Sequence, residues 1–207
     1  MQEQSPETTE YHYTYQEDDA EIESQGGFLC DLLECMVQLA VIAVVIWGIN
    51  TFLIQLSRVE GTSMRDTLNH RMMVVVDRLV YHVSDPAYGD VVLCHYPGYG
   101  KRFFGKRVIG LPGDVLEIRD NVLYRNGYRV DEPYLNPALN RDGYDMAPFA
   151  LGEDEYFVAG DNRDDSHDCR NYYVGQVGDF PCALTRDMIV GRIYLILSPF
   201  SRLGWVK

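Results

Sequence analysis

The amino-acid sequence predicts a mostly β protein that is preceded by one transmembrane helix and a disordered acidic tail. Residues 36–56 contain no charged side chain. From residue 58 onward, short runs rich in β-branched and aromatic residues are separated by Gly, Pro, Asn and Asp, a pattern typical of strands and turns. We therefore expect a tail over residues 1–29, an anchor over 30–57 and a β-rich domain over 58–207.

The negative charge of the chain belongs to the tail. Residues 1–35 hold ten Asp and Glu and no Lys or Arg, which leaves 21 acidic against 18 basic side chains for the remainder. The tail cannot bury enough apolar surface to offset its ordering entropy, so its composition predicts disorder and a solvated spacer. The nearly neutral remainder has no positive field for phosphates, and we expect no nucleic-acid partner.

The uncharged run 36–56 is long enough to span a bilayer. At about 1.5 Å per helical residue it covers a hydrocarbon core of roughly 30 Å. A cleaved targeting peptide would have a basic flank before the run and small residues after it, whereas this run has an acidic flank and exits through Ile54-Gln-Leu-Ser-Arg58. We expect a permanent anchor in membrane lipid; a buried core helix diluted by Gln and Asn is the alternative.

The β-rich domain is expected to contain strands at eight runs, which are 72–76, 79–83, 91–96, 102–109, 115–118, 122–124, 156–159 and 193–197. Asp120-Asn121 and Asn126-Gly127 are typical of tight hairpin turns. Residues 131–154 are rich in Pro, Asn and Gly and predict an irregular insertion, so an inserted lobe is expected over about 115–154. Near the C-terminus, Phe200 and Trp205 suit an interfacial contact.

The five cysteines cannot form a fully paired disulfide framework, because their number is odd. Cys94 follows Val-Val-Leu and is expected in the core. Cys169 and Cys182 could pair in an oxidising compartment, which their spacing leaves open. No Cys/His pattern has metal-ligand spacing, and no metal or cofactor is expected.

Ser63 lies a few residues after the anchor and is the candidate nucleophile. A serine hydroxyl is inert at neutral pH until a neighbouring base removes its proton. The hydrolase pattern G-x-S-x-G fails because Arg65 stands two residues after Ser63. The histidines fit no recognisable triad. An ordinary turn serine is the alternative.

A buried lysine can supply the missing base. Desolvation lowers a buried lysine's pKa by roughly 3–5 units, which corresponds to about 4–7 kcal/mol at about 1.36 kcal/mol per unit. Lys106 lies in the apolar run Phe103-Phe104-Gly105-Lys106-Arg107-Val108. Strand alternation places Lys106 and Arg107 on opposite faces, so we expect one of them to point inward. A surface Lys-Arg pair is the alternative.

The third polar stretch is Gly160-Asp-Asn-Arg-Asp-Asp-Ser-His-Asp-Cys-Arg170, which follows a predicted strand. Its density of Asp and Asn after a strand predicts first of all a polar loop, with a superficial resemblance to a calcium loop. However, Arg163 occupies a ligand position and the turn glycine is missing, so the match is poor.

Together these stretches resemble the type I signal peptidases, the membrane-bound serine–lysine peptidase family. The family boxes appear in order as Gly61-x-Ser63-Met64, Lys106-Arg-Val-Ile-Gly-Leu-Pro-Gly-Asp114 and Gly160-Asp-Asn-Arg-x-x-Ser-x-Asp168. The resemblance covers roughly residues 36–207 and implies a signal-peptidase-like β catalytic body with an inserted lobe. It implies cleavage of signal peptides from exported preproteins after small residues of the Ala-x-Ala type, without metal or cofactor.

By this resemblance Ser63 is the nucleophile and neutral Lys106 is the general base. Ser166 would orient the lysine amine. The backbone N–H of Ser63 would be one oxyanion donor, while Gly61 stands where some members carry a second. The resemblance also assigns residues that brace the site, namely Arg107, Asp161, Arg163, Asp168 and Arg170, and residues of the substrate pocket, namely Val59, Met64, Leu68 and Phe104.

The chain departs from the family pattern at three positions. Asp66 replaces the usual proline and is expected to loosen the turn. Gly105 replaces a branched apolar residue and is expected to widen the pocket and admit water to Lys106. Cys169 replaces a common serine. A catalytically weak or inactive membrane-anchored β interaction protein of the same family is therefore the alternative function. A self-cleaving repressor-type regulator would need a DNA-binding module, and none is seen in the sequence.

Two arguments disagree about the side of the membrane on which the β-rich domain lies. Arg58, Arg65 and Arg71 follow the anchor, and the positive-inside tendency would keep the β domain in the cytoplasm. This tendency is weak for large translocated domains, and leader cleavage requires the opposite side. We therefore expect a single-pass protein of the bacterial cytoplasmic membrane, with its N-terminus cytoplasmic and its catalytic domain extracytoplasmic.

Overall fold

The structure is a computed structural model that describes residues 16–48, 53–96, 100, 102–172 and 182–206. The chain divides into two compact units, Met1–Gly48 and Ile49–Lys207.

The first unit contains the helix α1 (Gln16–Gly48). Its segment Cys30–Gly48 has a mean hydropathy of 2.0, and its length and composition would allow it to cross a membrane. The helix also includes residues 16–29 of the predicted disordered tail. Glu, Gln and Ala in this stretch favour helix, and acidic side chains near a helix N-terminus interact favourably with its dipole. Residues 1–15 of the predicted tail lie outside the described residues.

The second unit begins its regular structure inside the predicted anchor. Ile54–Arg58 forms strand β1, which pairs antiparallel with β2 (Met73–Asp77). The last residues of the run 36–56 therefore belong to a sheet. Hydrophobicity by itself does not separate a short apolar strand from the end of an apolar helix, which is why the sequence placed this boundary late.

The described part of this unit contains ten further strands in two antiparallel sheets. The larger sheet has the order β1-β2-β11-β3-β4-β9-β10, with β12 on β11, and the smaller has the order β7-β6-β5-β8. This architecture confirms the mostly β fold class. The strands are β3 (Val91–His95), β4 (Phe103–Gly110), β5 (Val115–Arg119), β6 (Val122–Arg125), β7 (Tyr128–Arg129), β8 (Met146–Ala150), β9 (Glu155–Ala159), β10 (Leu184–Thr185), β11 (Ile189–Ser198) and β12 (Gly204–Trp205). Short 3-10 helices lie at Pro137–Leu139, Arg163–Asp165, Cys169–Tyr172, Arg186–Met188 and Phe200–Arg202.

The smaller sheet is inserted between β4 and β9. Its two tight turns have positive φ at both central residues, with 47° and 64° at Asp120 and Asn121 and 54° and 81° at Asn126 and Gly127. These values are typical of the hairpin turns that the sequence predicted. β8 lies inside the insertion predicted to be irregular. Its Pro148 is compatible with a strand because β8 is at the edge of the sheet.

One predicted strand is a short helix instead. The run 79–83 contains α2 (Val80–Val83). The Asp77 carboxylate accepts a hydrogen bond from Val80 N at 3.0 Å, and the Ser84 hydroxyl donates to Val80 O at 2.8 Å. These side-chain hydrogen bonds support a helical turn and outweigh the β propensity of the valines.

Two apolar clusters form the core of the second unit. One lies around Val92, Ile109 and Phe157, and it includes Cys94 at 0% exposure, as predicted. The other cluster contains Met64 and Leu68, which hold the segment that carries Ser63 against the larger sheet.

Candidate active site

Ser63 lies in the connection between β1 and β2. The two ends of this connection are joined by hydrogen bonds from Val59 N to Met72 O and from Arg71 N to Val59 O, both at 2.8 Å. Within it, Leu68 N donates to Met64 O at 2.6 Å. Burial of Met64 and Leu68 fixes this segment, and Ser63 itself is half-buried.

Lys106 and Arg107 are both buried in β4, at 1% and 2% exposure. The sequence predicted that only one would point inward. Both are buried because each face of β4 is covered: Lys106 lies against Ser166, and Arg107 lies against Asp161 and Tyr134. Lys106 Nζ donates to Ser166 Oγ at 2.9 Å. Burial lowers the pKa of Lys106, although the negative charge of Asp168 acts in the opposite direction.

Gly105 does not expose the lysine as expected. Lys106 is covered although its neighbour has no side chain, so the predicted entry of water is not observed. The space left by Gly105 faces Ile193, Leu68 and Met64 instead.

Ser166, Asp168 and Arg170 form a buried hydrogen-bonded chain. Ser166 Oγ donates to Asp168 Oδ2 at 2.6 Å, and Arg170 donates to both carboxylate oxygens at 2.9 Å. Gly160 N also donates to this carboxylate at 2.9 Å. Burial would raise the pKa of Asp168, but the charge and hydrogen bonds of Arg170 outweigh it and hold that pKa well below its usual range. Asp168 is therefore ionised.

Arg107 and Asp161 form a second buried pair on the other face of β4. Arg107 Nε and Nη2 donate to the two carboxylate oxygens at 2.9 and 2.8 Å. The guanidinium lies 3.9 Å from the centre of the Tyr134 ring. Thr67 Oγ1 donates to Asp161 Oδ2 at 2.5 Å, so this pair also holds the segment that follows Ser63.

The Ser63 carbonyl oxygen and the Ser166 hydroxyl both lie close to Gly160. A Cβ on Gly160 would stand 2.2 Å from Ser166 Oγ and 2.4 Å from the Ser63 carbonyl oxygen. Only a residue without a side chain permits this approach. Because Ser166 Oγ accepts a hydrogen bond from Lys106 Nζ, the backbone of Ser63, the Ser166 hydroxyl and the Lys106 amine lie in one region of the domain.

Arg163 connects this region to the inserted lobe. Its Nη2 donates to Glu132 Oε1 at 2.6 Å, and its Nε donates to Gly160 O at 3.1 Å. Arg170 Nη2 donates to Arg163 O at 3.1 Å, and Tyr144 Oη donates to Arg170 O at 2.7 Å. The five bracing residues named from the sequence therefore all lie in two connected networks around Ser166 and Asp161.

A cleft of about 560 Å³ opens beside Ser63. All four residues expected in the substrate pocket line it, together with further side chains of β4 and β11; the lining includes Val59, Met64, Leu68, Phe104, Gly105 and Ile193. Among the described residues, no group of three His, Cys, Asp or Glu side chains is arranged to hold a metal ion.

Asp66 is fixed rather than loose. Its φ is 78°, a value that proline cannot adopt because its ring holds φ near −65°. Asp66 N donates to Asn69 Oδ1 at 3.0 Å, Arg202 donates to Asp66 O at 2.5 Å, and Asn136 donates to the Asp66 carboxylate. One local hydrogen bond and two from distant segments therefore replace the rigidity that proline would give.

Cys169 is fully buried, and both Cys169 and Cys182 are free thiols. Burial raises the pKa of the Cys169 thiol well above its usual value. The substitution of serine by cysteine at this position thus places a neutral, unreactive group beside the Asp168 network.

Sequence reasoning did not select Asn162, Thr62 or Thr67. Asn162 bonds the carbonyl groups of Thr62 and Ser63, and Thr62 Oγ1 donates to Asp165 Oδ2 at 2.5 Å. The only available signal was that Asn162 lies inside the third family box. A sequence pattern does not reveal which distant backbone groups such a residue contacts.

Comparison with known proteins gives one family. The model of the family described as "Signal peptidase, peptidase S26" matches residues 32–198. Signal peptidase I of Bacillus amyloliquefaciens is 34% identical over 191 residues, covering 89% of this chain and 96% of the relative. Signal peptidase I S of Bacillus subtilis (strain 168) is 33% identical over 180 residues, covering 83% of this chain and 92% of the relative.

A crystal structure of a signal peptidase I from Enterococcus faecalis V583 is also similar, at 28% identity and a TM-score of 0.43, and covers 54% of this chain and 98% of that one. The family match extends over most of the sequence, from the apolar helix to the last residue of β11. The chain therefore belongs to the signal peptidase family, peptidase S26, whose members are serine endopeptidases.

Proposed function

We propose that this protein is a signal peptidase I that removes signal peptides from exported preproteins, with Ser63 as nucleophile and neutral Lys106 as general base. The observation that carries the proposal is the burial of Lys106 beside Ser166 and the Ser63 segment. An amine in this position is poorly solvated, which favours its neutral form. A surface lysine at the same point in the sequence could not act as a base near neutral pH.

The hydrogen bond to Ser166 prepares the amine for proton transfer. The Ser166 hydroxyl donates a hydrogen bond to ionised Asp168. Its oxygen can therefore only accept a hydrogen bond from the Lys106 amine. One N–H of the amine is held by this bond, and the nitrogen lone pair remains to take the proton of the Ser63 hydroxyl. The Asp168 network thus holds the hydroxyl that directs the amine.

Cleavage follows acyl-enzyme chemistry. As Ser63 Oγ bonds to the scissile carbonyl carbon, its proton passes to Lys106 Nζ and the carbonyl oxygen becomes an oxyanion near Ser63 N–H. The C–N bond then breaks, and the Lys106 ammonium returns its proton to the departing amine. Lys106, neutral again, takes a proton from water as the water oxygen bonds to the ester carbon, and gives this proton to Ser63 Oγ as the ester C–O bond breaks and the peptide acid leaves.

The cleft beside Ser63 supports a preference for small apolar residues of the Ala-x-Ala type. Val59, Leu68 and Phe104 give it apolar walls next to the proposed nucleophile. Small apolar side chains can be buried there without an unpaired polar group.

We further propose a single-pass protein of the bacterial cytoplasmic membrane, with the N-terminus cytoplasmic and the catalytic domain extracytoplasmic. The apolar segment Cys30–Gly48 supports the anchor. Phe200 and Trp205 are 88% and 70% exposed, which suits an interfacial contact with lipid. The partners are membrane lipid and exported preproteins; the absence of a basic patch in the sequence argues against nucleic acid.

One assay tests the proposed function. The detergent-solubilised full chain is incubated with a leader peptide that contains an Ala-x-Ala site, and the products are identified by mass spectrometry. Wild type is expected to cleave after the second alanine, and Ser63→Ala and Lys106→Ala are each expected to abolish cleavage. A folded wild-type chain that binds the peptide without cleaving it would favour the inactive-relative alternative.

A further inference from the structure

Asn162 holds the peptide groups on both sides of Ser63. Its backbone N donates to Ser63 O at 3.0 Å, and its side-chain Nδ2 donates to Thr62 O at 3.1 Å. The side chain is oriented with Nδ2 toward Thr62, because a carbonyl oxygen can only accept. Asn162 is itself buried, at 4% exposure, so these hydrogen bonds have little competition from solvent.

These two hydrogen bonds control more than the position of the segment. A trans peptide group is planar, and its C=O and N–H point in opposite directions. The Thr62 carbonyl belongs to the peptide group that carries Ser63 N–H. Fixing the direction of that carbonyl therefore fixes the direction in which Ser63 N–H points. The bond to Ser63 O fixes the following peptide plane in the same way, so both backbone dihedrals of Ser63 are restrained.

We infer that Asn162 is a positioning residue that aims the Ser63 N–H at the oxyanion of the tetrahedral intermediate. This inference rests on the proposed function, in which Ser63 is the nucleophile and its N–H is an oxyanion donor. It assigns to the side-chain amide of Asn162 a role that acts only through the Ser63 backbone. Gly61 has no side chain that could supply a second donor, so the direction of the Ser63 N–H carries more of the stabilisation.

The neighbouring contacts offer a matched control. Thr62 Oγ1 bonds Asp165 Oδ2 at 2.5 Å, which ties the same two segments together through a side chain. Thr62→Val removes this bond, preserves the shape of the residue and leaves the Thr62 carbonyl bonded to Asn162. It therefore loosens the attachment of the segment without releasing the peptide plane.

The test compares Asn162→Ala with Thr62→Val and wild type in the full-length, detergent-solubilised chain. We expect Asn162→Ala to lower kcat roughly 10- to 100-fold with KM within about twofold, which is somewhat less than the roughly 10²- to 10³-fold loss on removing a donor directly. Thr62→Val should lose clearly less kcat than Asn162→Ala, and an equal loss in the two variants would overturn the inference. In Asn162→Ser the side chain is too short for its hydroxyl to reach Thr62 O, so kcat should fall as much as in Asn162→Ala. This variant replaces Asn162→Ala in the test if the alanine variant does not fold.

The affinity for a peptide aldehyde distinguishes two roles of Asn162: aiming the oxyanion donor, and only stabilising the fold. Its adduct with Ser63 places an oxyanion-like oxygen at the N–H, so its affinity should fall in Asn162→Ala by the same factor as kcat/KM. The affinity of an uncleavable leader peptide should not change. Equal losses of aldehyde and peptide affinity, or unchanged kcat, would overturn the inference. A wild-type chain that neither cleaves the leader nor binds the aldehyde would instead overturn the proposed function.

Discussion

Lys106 Nζ donates a 2.9 Å hydrogen bond to Ser166 Oγ in the interior of the larger sheet. The Ser166 hydroxyl donates a hydrogen bond to the Asp168 carboxylate, and the Arg170 guanidinium balances the charge of that carboxylate. The amine is thus held by a neutral group, and the nearest carboxylate already has its own cation. This arrangement explains how a lysine close to an aspartate keeps a lowered pKa.

The first prediction concerns the pH dependence of cleavage. The pKa of Lys106 lies below its usual value of 10.5, and only the neutral amine can act as a base. We therefore expect kcat/KM to rise with pH and to level off above the lowered pKa. Lys106→Arg should be inactive at every pH, because arginine is not deprotonated in proteins. Initial rates across a pH series check this, and an active arginine variant would exclude the general-base role.

The same shift predicts a pH dependence of stability. Between the lowered folded pKa of Lys106 and its unfolded value, the unfolded state binds more protons. The free energy of unfolding should therefore rise with pH through this window. Lys106→Met should lack this contribution, which urea unfolding at several pH values will measure. Identical slopes for the two proteins would contradict the lowered pKa.

Ser166→Ala should impair catalysis while leaving the fold intact. The variant loses the oxygen that accepts from Lys106, so the amine can rotate away from the nucleophile. We expect kcat to fall roughly 10- to 100-fold, which is a part of the roughly 10²- to 10⁴-fold contribution of a general base. Steady-state kinetics of leader cleavage provide the measurement, with the exposed Ser201→Ala as control. A kcat equal to that of the control would count against the orienting role.

Asp168→Asn should strongly destabilise the domain. The substitution leaves the buried guanidinium of Arg170 without a counter-charge, a change that typically costs about 3–5 kcal/mol. Glu117→Gln is the control, because its partner Arg119 is 54% exposed and such pairs contribute about 1 kcal/mol or less. Denaturant unfolding of both variants measures the difference. Similar losses in the two proteins would show that burial of the Asp168 pair has no special importance.

The lowered pKa of Asp168 predicts how its contribution to the free energy of unfolding changes with pH. Its carboxylate stabilises the fold above the unfolded pKa of about 3.9, and this contribution should disappear as the pH falls through the folded value. Asp168→Asn should therefore unfold with a weaker dependence on acid than wild type.

Gly160→Ala should abolish cleavage. The new Cβ would stand 2.2 Å from Ser166 Oγ and 2.4 Å from Ser63 O, and the second of these atoms belongs to the backbone. The two segments must separate, with a cost of about 1–3 kcal/mol and loss of the site geometry. Gly143→Ala is the control because a Cβ there has nothing within 4 Å. Kinetics and thermal unfolding should separate the two variants clearly; an active Gly160→Ala would refute the close approach.

Gly105→Ala should be tolerated and should narrow substrate preference. Its Cβ would lie 3.5 Å from Ile193 and 3.9 Å from Leu68, which are ordinary contacts. We expect a gain of about 0.5–1 kcal/mol in stability from replacing a strand glycine. The ratio of kcat/KM for alanine over valine at the small-residue positions of the leader should rise severalfold.

Gly110→Ala is the matched comparison for Gly105→Ala, because both glycines lie in β4. At Gly110 a Cβ would stand 2.5 Å from Leu116 and 2.8 Å from Leu151. Overpacking should therefore destabilise Gly110→Ala by about 1–3 kcal/mol. Unchanged substrate preference in Gly105→Ala would mean that this glycine does not shape the cleft used by the leader.

The amino-acid sequence was sufficient to predict the fold class, the apolar helix, most strands and the two hairpin turns. These features depend on local preferences: β-branched runs, a long uncharged segment, and Asn and Gly at positions of positive φ. The three short boxes also identified Ser63 and Lys106 as candidates, because their order along the chain is specific. Local preference failed at residues 54–56 and 79–83, where sheet pairing and side-chain hydrogen bonds decided between helix and strand.

The way in which the candidate residues meet depends on contacts between segments that are far apart along the chain. Burial of both Lys106 and Arg107 requires that β4 be covered on both faces, and the covering residues include Ser166 and Asp161, more than fifty positions away. The roles of Gly160 and Asn162 arise from contacts about one hundred residues away along the chain. A sequence states which groups can donate, accept or lose a proton. Their separation and solvation set the pKa and the direction of each hydrogen bond, and these exist only once the chain has folded.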